Sequence, residues 1–324
     1  MSLRAELLRL GLRAAFKQRD DVTPNIAQIR ARLEKFKYLA PQPPKGTHAT
    51  RLAMGGVPAI RVMTPQSRAD RHVLYLHGGG YVYGRPAHYR DFIWRIADAA
   101  AATMHVLDYR LGPEHPFPAA VDDAVGAYRS LLAAGADPRH LAIMGDSAGG
   151  GLTFATLLRL RDERDPLPAA AVTISPWTDL TLTSESCLRF AASDPMLSVG
   201  RAKVFARWYL GDADPKHPYA SPLYGDPTGL PPSLIQVGSD EILRDDAVLW
   251  GERMRAAGVA AEIEVWPRMP HVWQLFARVV PEAQKAVRRI GAFLRSQFER
   301  IEDDPSRAGL RDPEKPESPV SSSR

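Results

Sequence analysis

From residue 71 onward, short apolar runs alternate with longer stretches of helical period. The runs are HVLYL at 72–76, TMHVLDY at 103–109, LAIMG at 141–145, AAVTIS at 170–175, SLIQVG at 233–238 and AEIEVW at 261–266. Between most of them lies an alanine-rich amphipathic stretch of helical length, the pattern of βαβ units whose parallel strands are covered on both faces. Upstream, THATRLAMGGVPAIRVMTP at 47–65 predicts two strands joined at Gly55 and Gly56, an antiparallel hairpin at the sheet edge. The expected body is a mostly parallel, doubly wound α/β sheet of eight strands flanked by helices.

Three regions depart from that rhythm. Residues 1–45 place leucine and alanine among arginines at helical spacing and end in the breaker-rich APQPPKG, which predicts one or two helices outside the sheet. Trp177 to Pro232 contain helical material such as GRAKVFARWYLG but no clear strand. An insertion there, at about 178–231, is expected to lie over the strand ends where open α/β sheets bind ligands. The body thus covers 46–301, and the Pro-, Ser- and charge-rich tail at 302–324 is expected to be disordered.

Composition removes several classes of function. A single cysteine, Cys187, allows neither an internal disulfide nor a zinc-thiolate site, and fits a reducing cytoplasm. No apolar stretch approaches the roughly 18 residues of a membrane span. The N-terminal MSLRAELLRLGLRAAFKQR has charges among its leucines, so an amphipathic helix is expected rather than a secretory signal. The net charge of +5 raises the question of nucleic acid, but 42 basic and 37 acidic residues are interleaved without a basic block. No nucleic-acid partner is expected. GxGxxG, P-loop and HExxH motifs are absent, which takes away the usual sequence support for nucleotide and metal chemistry.

GDSAG at 145–149 matches G-x-S-x-G. The bare pattern is weak in a chain with 24 glycines. Its context, the strand LAIM before and the helix GGLTFATLLRLRDE after, is that of a tight turn presenting Ser147 at its apex. HGGG at 77–80 follows the strand HVLYL, where backbone N–H groups of Gly79 and Gly80, with that of Ala148, can face a developing oxyanion. His77 reads as a shape-fixing residue of that loop. A serine nucleophile needs a base and a carboxylate to orient the base. Asp240, just after SLIQV, and His271, in the loop after AEIEVW, stand at the ends of later strands; Glu241, Asp245 and Asp246 are rival carboxylates. His217 lies in the insertion beside Pro218 and reads as a surface residue.

HGGG, DYRLGPEHPFPAA, GDSAGG, the Asp240 loop and HVWQ, in this order, resemble the hormone-sensitive-lipase-like family of carboxylesterases over roughly residues 45–300. The resemblance implies an α/β-hydrolase fold with a helical cap built from the N-terminal helices and the insertion. It implies a triad of Ser147, Asp240 and His271, and no metal or organic cofactor. The expected substrate is a small-molecule ester of short or medium acyl chain, with a lactone as the alternative and a ligand-binding receptor as the alternative outside enzymes. The stretch SPLYGDPTGLPPSLIQVGSDEILRDD is most similar to the branch of monoterpene ε-lactone hydrolases and small bacterial esterases, although GSDE lacks the proline that many members carry after the aspartate. Tyr83, Trp177, Met196, Phe205 and Trp208, with Phe190 and Trp273, are candidate pocket residues whose alternative is plain core. The sequence leaves a homodimer open.

Overall fold

The computed structural model describes residues 1–16, 24–36 and 42–302. One sheet is built from β1 (His48–Met54), β2 (Val57–Met63), β3 (Arg68–Leu76), β4 (Ala102–Leu107), β5 (Leu141–Asp146), β6 (Ala170–Ile174), β7 (Ser233–Gly238) and β8 (Ala261–Trp266). Their spatial order is β1-β2-β4-β3-β5-β6-β7-β8. The β1/β2 and β2/β4 pairs are antiparallel and the remaining neighbours parallel. The hairpin turns at Gly55 (φ 57°) and Gly56 (φ 84°), the left-handed pair that a two-residue hairpin loop demands.

Alternation along the strands sorts the core into two layers. Leu74 and Leu76 of β3 pack in one apolar cluster with Leu152 and Phe154 of α5 (Ala148–Asp162) and Trp250 of α8 (Arg244–Ala256). Val73 and Tyr75 pack in the other, with Phe92 and Ile96 of α3 (Arg90–Ala100) and Ile290 and Phe293 of α9 (Pro281–Glu302). Full burial of such a side chain is worth about 1.5–3 kcal/mol. A slip of one residue would turn each of them to the wrong layer, so the pattern fixes the register. In α3 the buried Phe92, Ile93, Ile96, Ala97 and Ala100 recur every three or four residues, as one helical face requires. The remaining core helix, α4 (Ala119–Ala133), adds Ala120, Val121 and Tyr128 to the first layer.

Two groups of helices lie off the sheet. The segment 177–232 forms no strand, as its sequence predicts, and contributes α6 (Glu185–Arg189) and α7 (Val199–Leu210). The α7 helix starts where Ser198 Oγ accepts from the N–H of Arg201. Preceding the sheet are α1 (Leu3–Phe16) and α2 (Ile26–Phe36). Arg9 of α1 reaches Asp240 and the carbonyl of Arg268, while Arg30 of α2 donates to the carbonyls of Val82 and Gly112 and pairs with Glu114. Both helices therefore lie over loops at the C-terminal ends of the strands. Helix α9 extends to Glu302, and the tail from 303 falls outside the described residues.

Candidate active site

Ser147 alone makes the turn between β5 and α5, with φ 54° and ψ −122°, a combination that residues with a Cβ seldom adopt. The turn closes because Gly145 and Gly149 let backbones touch. A Cβ on Gly149 would collide with the carbonyl of Leu76, and one on Gly145 with the backbone of Gly149. The N–H of Ser147 donates to the carbonyl of Ile174 at 2.8 Å, and its own carbonyl accepts from Gly150, Gly151 and Trp177. With its backbone held on both sides, the residue presents its Oγ to the loop after β8.

His271 meets it there. Its Nε2 lies 2.9 Å from Ser147 Oγ and its Nδ1 lies 2.7 Å from Glu241 Oε2. A carboxylate only accepts, so Nδ1 carries the hydrogen and Nε2 offers its lone pair to the serine hydroxyl. Burial lowers the proton affinity of His271, but the Glu241 carboxylate, with Asp194 and Asp146 farther off, more than offsets this and raises the pKa above 6.5.

The acid beside His271 is Glu241 and not the expected Asp240. After β7 ends at Gly238, the chain turns so that the Glu241 side chain folds back. Its Oε1 accepts from the N–H of Gly238 at 2.6 Å and from Ser175 Oγ at 2.8 Å. That side chain is fully buried. Asp240 faces the other way: Oδ1 accepts from Ser239 Oγ at 2.6 Å and Oδ2 pairs with Arg9 at 2.9 Å. The other rivals are also engaged elsewhere, Asp245 with Arg244 and the N–H of Ser186, and Asp246 with the N–H groups of Thr178 and Asp179. No pattern in GSDEIL separates the two acids; in the structure Glu241 leads into the buried Ile242 and Leu243 while Asp240 is only half-buried.

Gly79 and Gly80 adopt φ 120° and 61°, and Ala148 is the first residue of α5. Among the described residues none of their three N–H groups has an acceptor. The residue before Ser147 ties the two loops together: Asp146 Oδ1 accepts from the N–H of Gly78 at 2.8 Å and from Tyr75 at 2.6 Å, and Oδ2 from Tyr89 at 3.2 Å. Burial raises its pKa, and these donors work against that. His77 stacks on Tyr109 with ring centroids 4.4 Å apart, and burial brings it down to about 4, so it is a neutral buttress of the loop.

Residues 73–275 match the family described as alpha/beta hydrolase fold. An acetyl-hydrolase of Streptomyces hygroscopicus is 48% identical over 232 residues, 72% of this chain and 78% of that one. A putative acetyl-hydrolase, LipR, of Mycobacterium tuberculosis is 35% identical over 305 residues, 94% of this chain and 98% of that one. The crystal structure of an esterase from the bacterial hormone-sensitive lipase family superposes with a TM-score of 0.87 at 45% identity, over 92% of this chain and 99% of that one. The chain belongs to the hormone-sensitive-lipase-like family of α/β hydrolases. By class it is a carboxylic ester hydrolase.

The hydrolase brings some of the candidate pocket residues together and disperses others. Phe205 of α7 lies against Gly80 and meets Tyr83 edge-on at 5.7 Å, and the half-buried Trp208 stands 5.9 Å from Phe205. Trp177 is buried, with its indole N–H spent on the carbonyl of Asp179. Met196, partly buried, packs against the opposite apolar cluster, the one that contains Met269 and Trp273. His217, half-buried between Phe117 and Tyr219, accepts from the N–H of Tyr219 and takes no part in the site. Sequence reasoning passed over Tyr81, which stacks on Tyr209 of α7 at 3.8 Å and 8° and fastens that helix to the glycine loop.

Proposed function

We propose that this hydrolase cleaves short- to medium-chain acyl esters through an acyl-enzyme on Ser147, with His271 as base and Glu241 as the orienting acid. The observation that carries the reading is the unbroken file Ser147 Oγ, His271, Glu241, spaced 2.9 and 2.7 Å. Ser147 Oγ attacks the ester carbonyl while His271 Nε2 takes its proton, and Glu241 stabilises the imidazolium formed. The N–H groups of Gly79, Gly80 and Ala148 receive the oxyanion, and the last is helped by the positive end of α5. The imidazolium then protonates the departing alcohol, and water repeats the sequence to release the acid.

Helices α1 and α2 together with the segment 178–231 form the cap in this reading. Phe205 and Tyr83 over the oxyanion loop favour a short acyl pocket, as do relatives named acetyl-hydrolases. Each further buried methylene is worth about 0.8 kcal/mol, or roughly fourfold in specificity, until the pocket floor is reached. We expect kcat/KM to peak near four to eight acyl carbons, a range that the family resemblance implies and that arithmetic only bounds. The lone buried Cys187 fits a reducing compartment such as the cytoplasm. A fluorophosphonate probe should label one serine stoichiometrically, and labelling anywhere but Ser147 would overturn the assignment. A nitrophenyl ester series run beside lactones tests the substrate class, and a preference for the lactones would replace the acyl-ester reading.

A further inference from the structure

The strand ladder holds Glu241 and His271 only indirectly. The β7/β8 pairing ends at Gly238 opposite Trp266, and both residues lie beyond it on separate loops. What joins those loops is a small polar staple. The N–H of Ser239 donates to the carbonyl of Trp266 at 3.0 Å, the N–H of Arg268 donates to Ser239 Oγ at 2.8 Å, and that hydroxyl donates to Asp240. Helix α1 closes the staple from outside. Arg9 Nη1 donates to Asp240 Oδ2 and to the carbonyl of Arg268, both at 2.9 Å, and Arg268 Nη2 pairs with Glu6 at 3.0 and 3.1 Å.

We propose that Arg9, Asp240 and Arg268 are positioning residues: with Glu6 they let α1 clip the loops after β7 and β8 together and so set the distance from Glu241 to His271. The inference rests on the triad reading above. Three features support it. Arg268 stands at φ 58°, a left-handed conformation that non-glycine residues keep only when their surroundings hold it, and here its N–H, carbonyl and guanidinium are all engaged in the clip. The Arg9 and Asp240 side chains are 15% and 26% exposed, so their charges act through a poorer screen than a surface pair. Finally, α1 and the residue before it have docking contacts outside the clip, Ser2 on Glu282 and Arg13 on the carbonyl of Ala192, so the clip is not needed merely to seat the helix.

The test uses the full chain and nitrophenyl acetate. Displacing reacting groups by about 1 Å can lower turnover up to 10²-fold, so Arg9→Ala and Asp240→Asn are expected to lower kcat by about tenfold with KM within twofold. As Glu241 draws away, the acid limb of the pH profile should move down, with Asp194 and Asp146 still facing His271. Arg13→Ala should behave as the parent, and Arg9→Lys, which still offers donors to Asp240 and to the carbonyl of Arg268, should keep most of the kcat that Arg9→Ala loses. Unfolding in urea separates these effects from loss of folded protein. If Arg9→Ala and Arg13→Ala lower kcat equally, or if Arg9→Ala leaves kcat and the acid limb unmoved, the clip does not position the triad. Glu241→Gln distinguishes the levels: its indifference would sink the triad reading itself, whereas a crippled Glu241→Gln beside a silent Arg9→Ala would overturn this inference alone.

Discussion

The neutral imidazole of His271 is the form that can take a proton from Ser147, and the surrounding carboxylates keep its pKa above 6.5 despite burial. For a soluble ester, kcat/KM is therefore expected to rise with pH through a midpoint above 6.5. Replacing Glu241 with Gln should lower turnover by roughly 10⁴, by analogy with other triads, and move the midpoint of the residual activity downward. A Gln variant whose pH profile overlies that of the parent would remove the acid from Glu241. Linkage gives a further sign. Because the folded state binds this proton more tightly than the unfolded chain, the contribution of His271 to stability is full below about pH 6.5 and fades as pH climbs through the folded value. At this scale the sequence was half legible. The turn chemistry of GDSAG and the strand-end setting of His271 singled out two residues, but adjacent carboxylates differ only in which way the chain turns them. That direction was set by the N–H of Gly238 and the hydroxyl of Ser175, neither of which is visible as a pattern.

Among the elements, α7 is the one we propose to shape the substrate side. Its start is fixed by the Ser198 cap, and its buried face carries Phe205, Tyr209 and Leu210. Tyr209 locks to Tyr81 while the carbonyl of Tyr209 accepts from the N–H of Phe117, so the ring of Phe205 is held over Gly80. Phe205→Ala is expected to raise kcat/KM for decanoyl relative to butyryl esters by about tenfold, since the ring's space becomes available to methylenes. An unchanged ratio would mean that the acyl chain runs elsewhere. Most strands were readable to within two residues, because their runs are short, β-branched or aliphatic, and bounded by turn residues; β3 begins at Arg68, four residues before the run HVLYL, where its sequence is polar. The 177–232 segment was readable as lacking strand and as helical at GRAKVFARWYLG, where α7 forms, but not in how it packs. Its packing depends on aromatic stacking across distant parts of the chain, which local periodicity does not encode.

Over the molecule as a whole, the active site and the opposite end of the sheet respond to acid in different ways. His72 and His105 meet across β3 and β4 with Nδ1 and Nε2 3.2 Å apart, and burial, then His72, depress His105 to about 3. Between pH 6.5 and that value the unfolded chain takes up a proton that the folded chain refuses, so stability falls as pH drops. From pH 7.5 to 5.0 this should cost about 2 kcal/mol for His105. His105→Leu should shrink the difference between urea midpoints measured at those two pH values, and an undiminished difference would place the acid sensitivity elsewhere. Among the described residues no helix is long and apolar enough to cross a membrane.

Asp146 joins the end of β5, just before Ser147, to the glycine loop at 77–80, through one carboxylate and three donors in the interior. Ser147 and the glycine loop are in consequence tied to each other through the interior. Thermal motion carries them together, so warming disturbs their mutual geometry no sooner than it breaks the core around Tyr75 and Tyr89. Any loss of activity that precedes the melting of the sheet is then expected to begin not here but at the loops after β7 and β8, whose tie runs through α1.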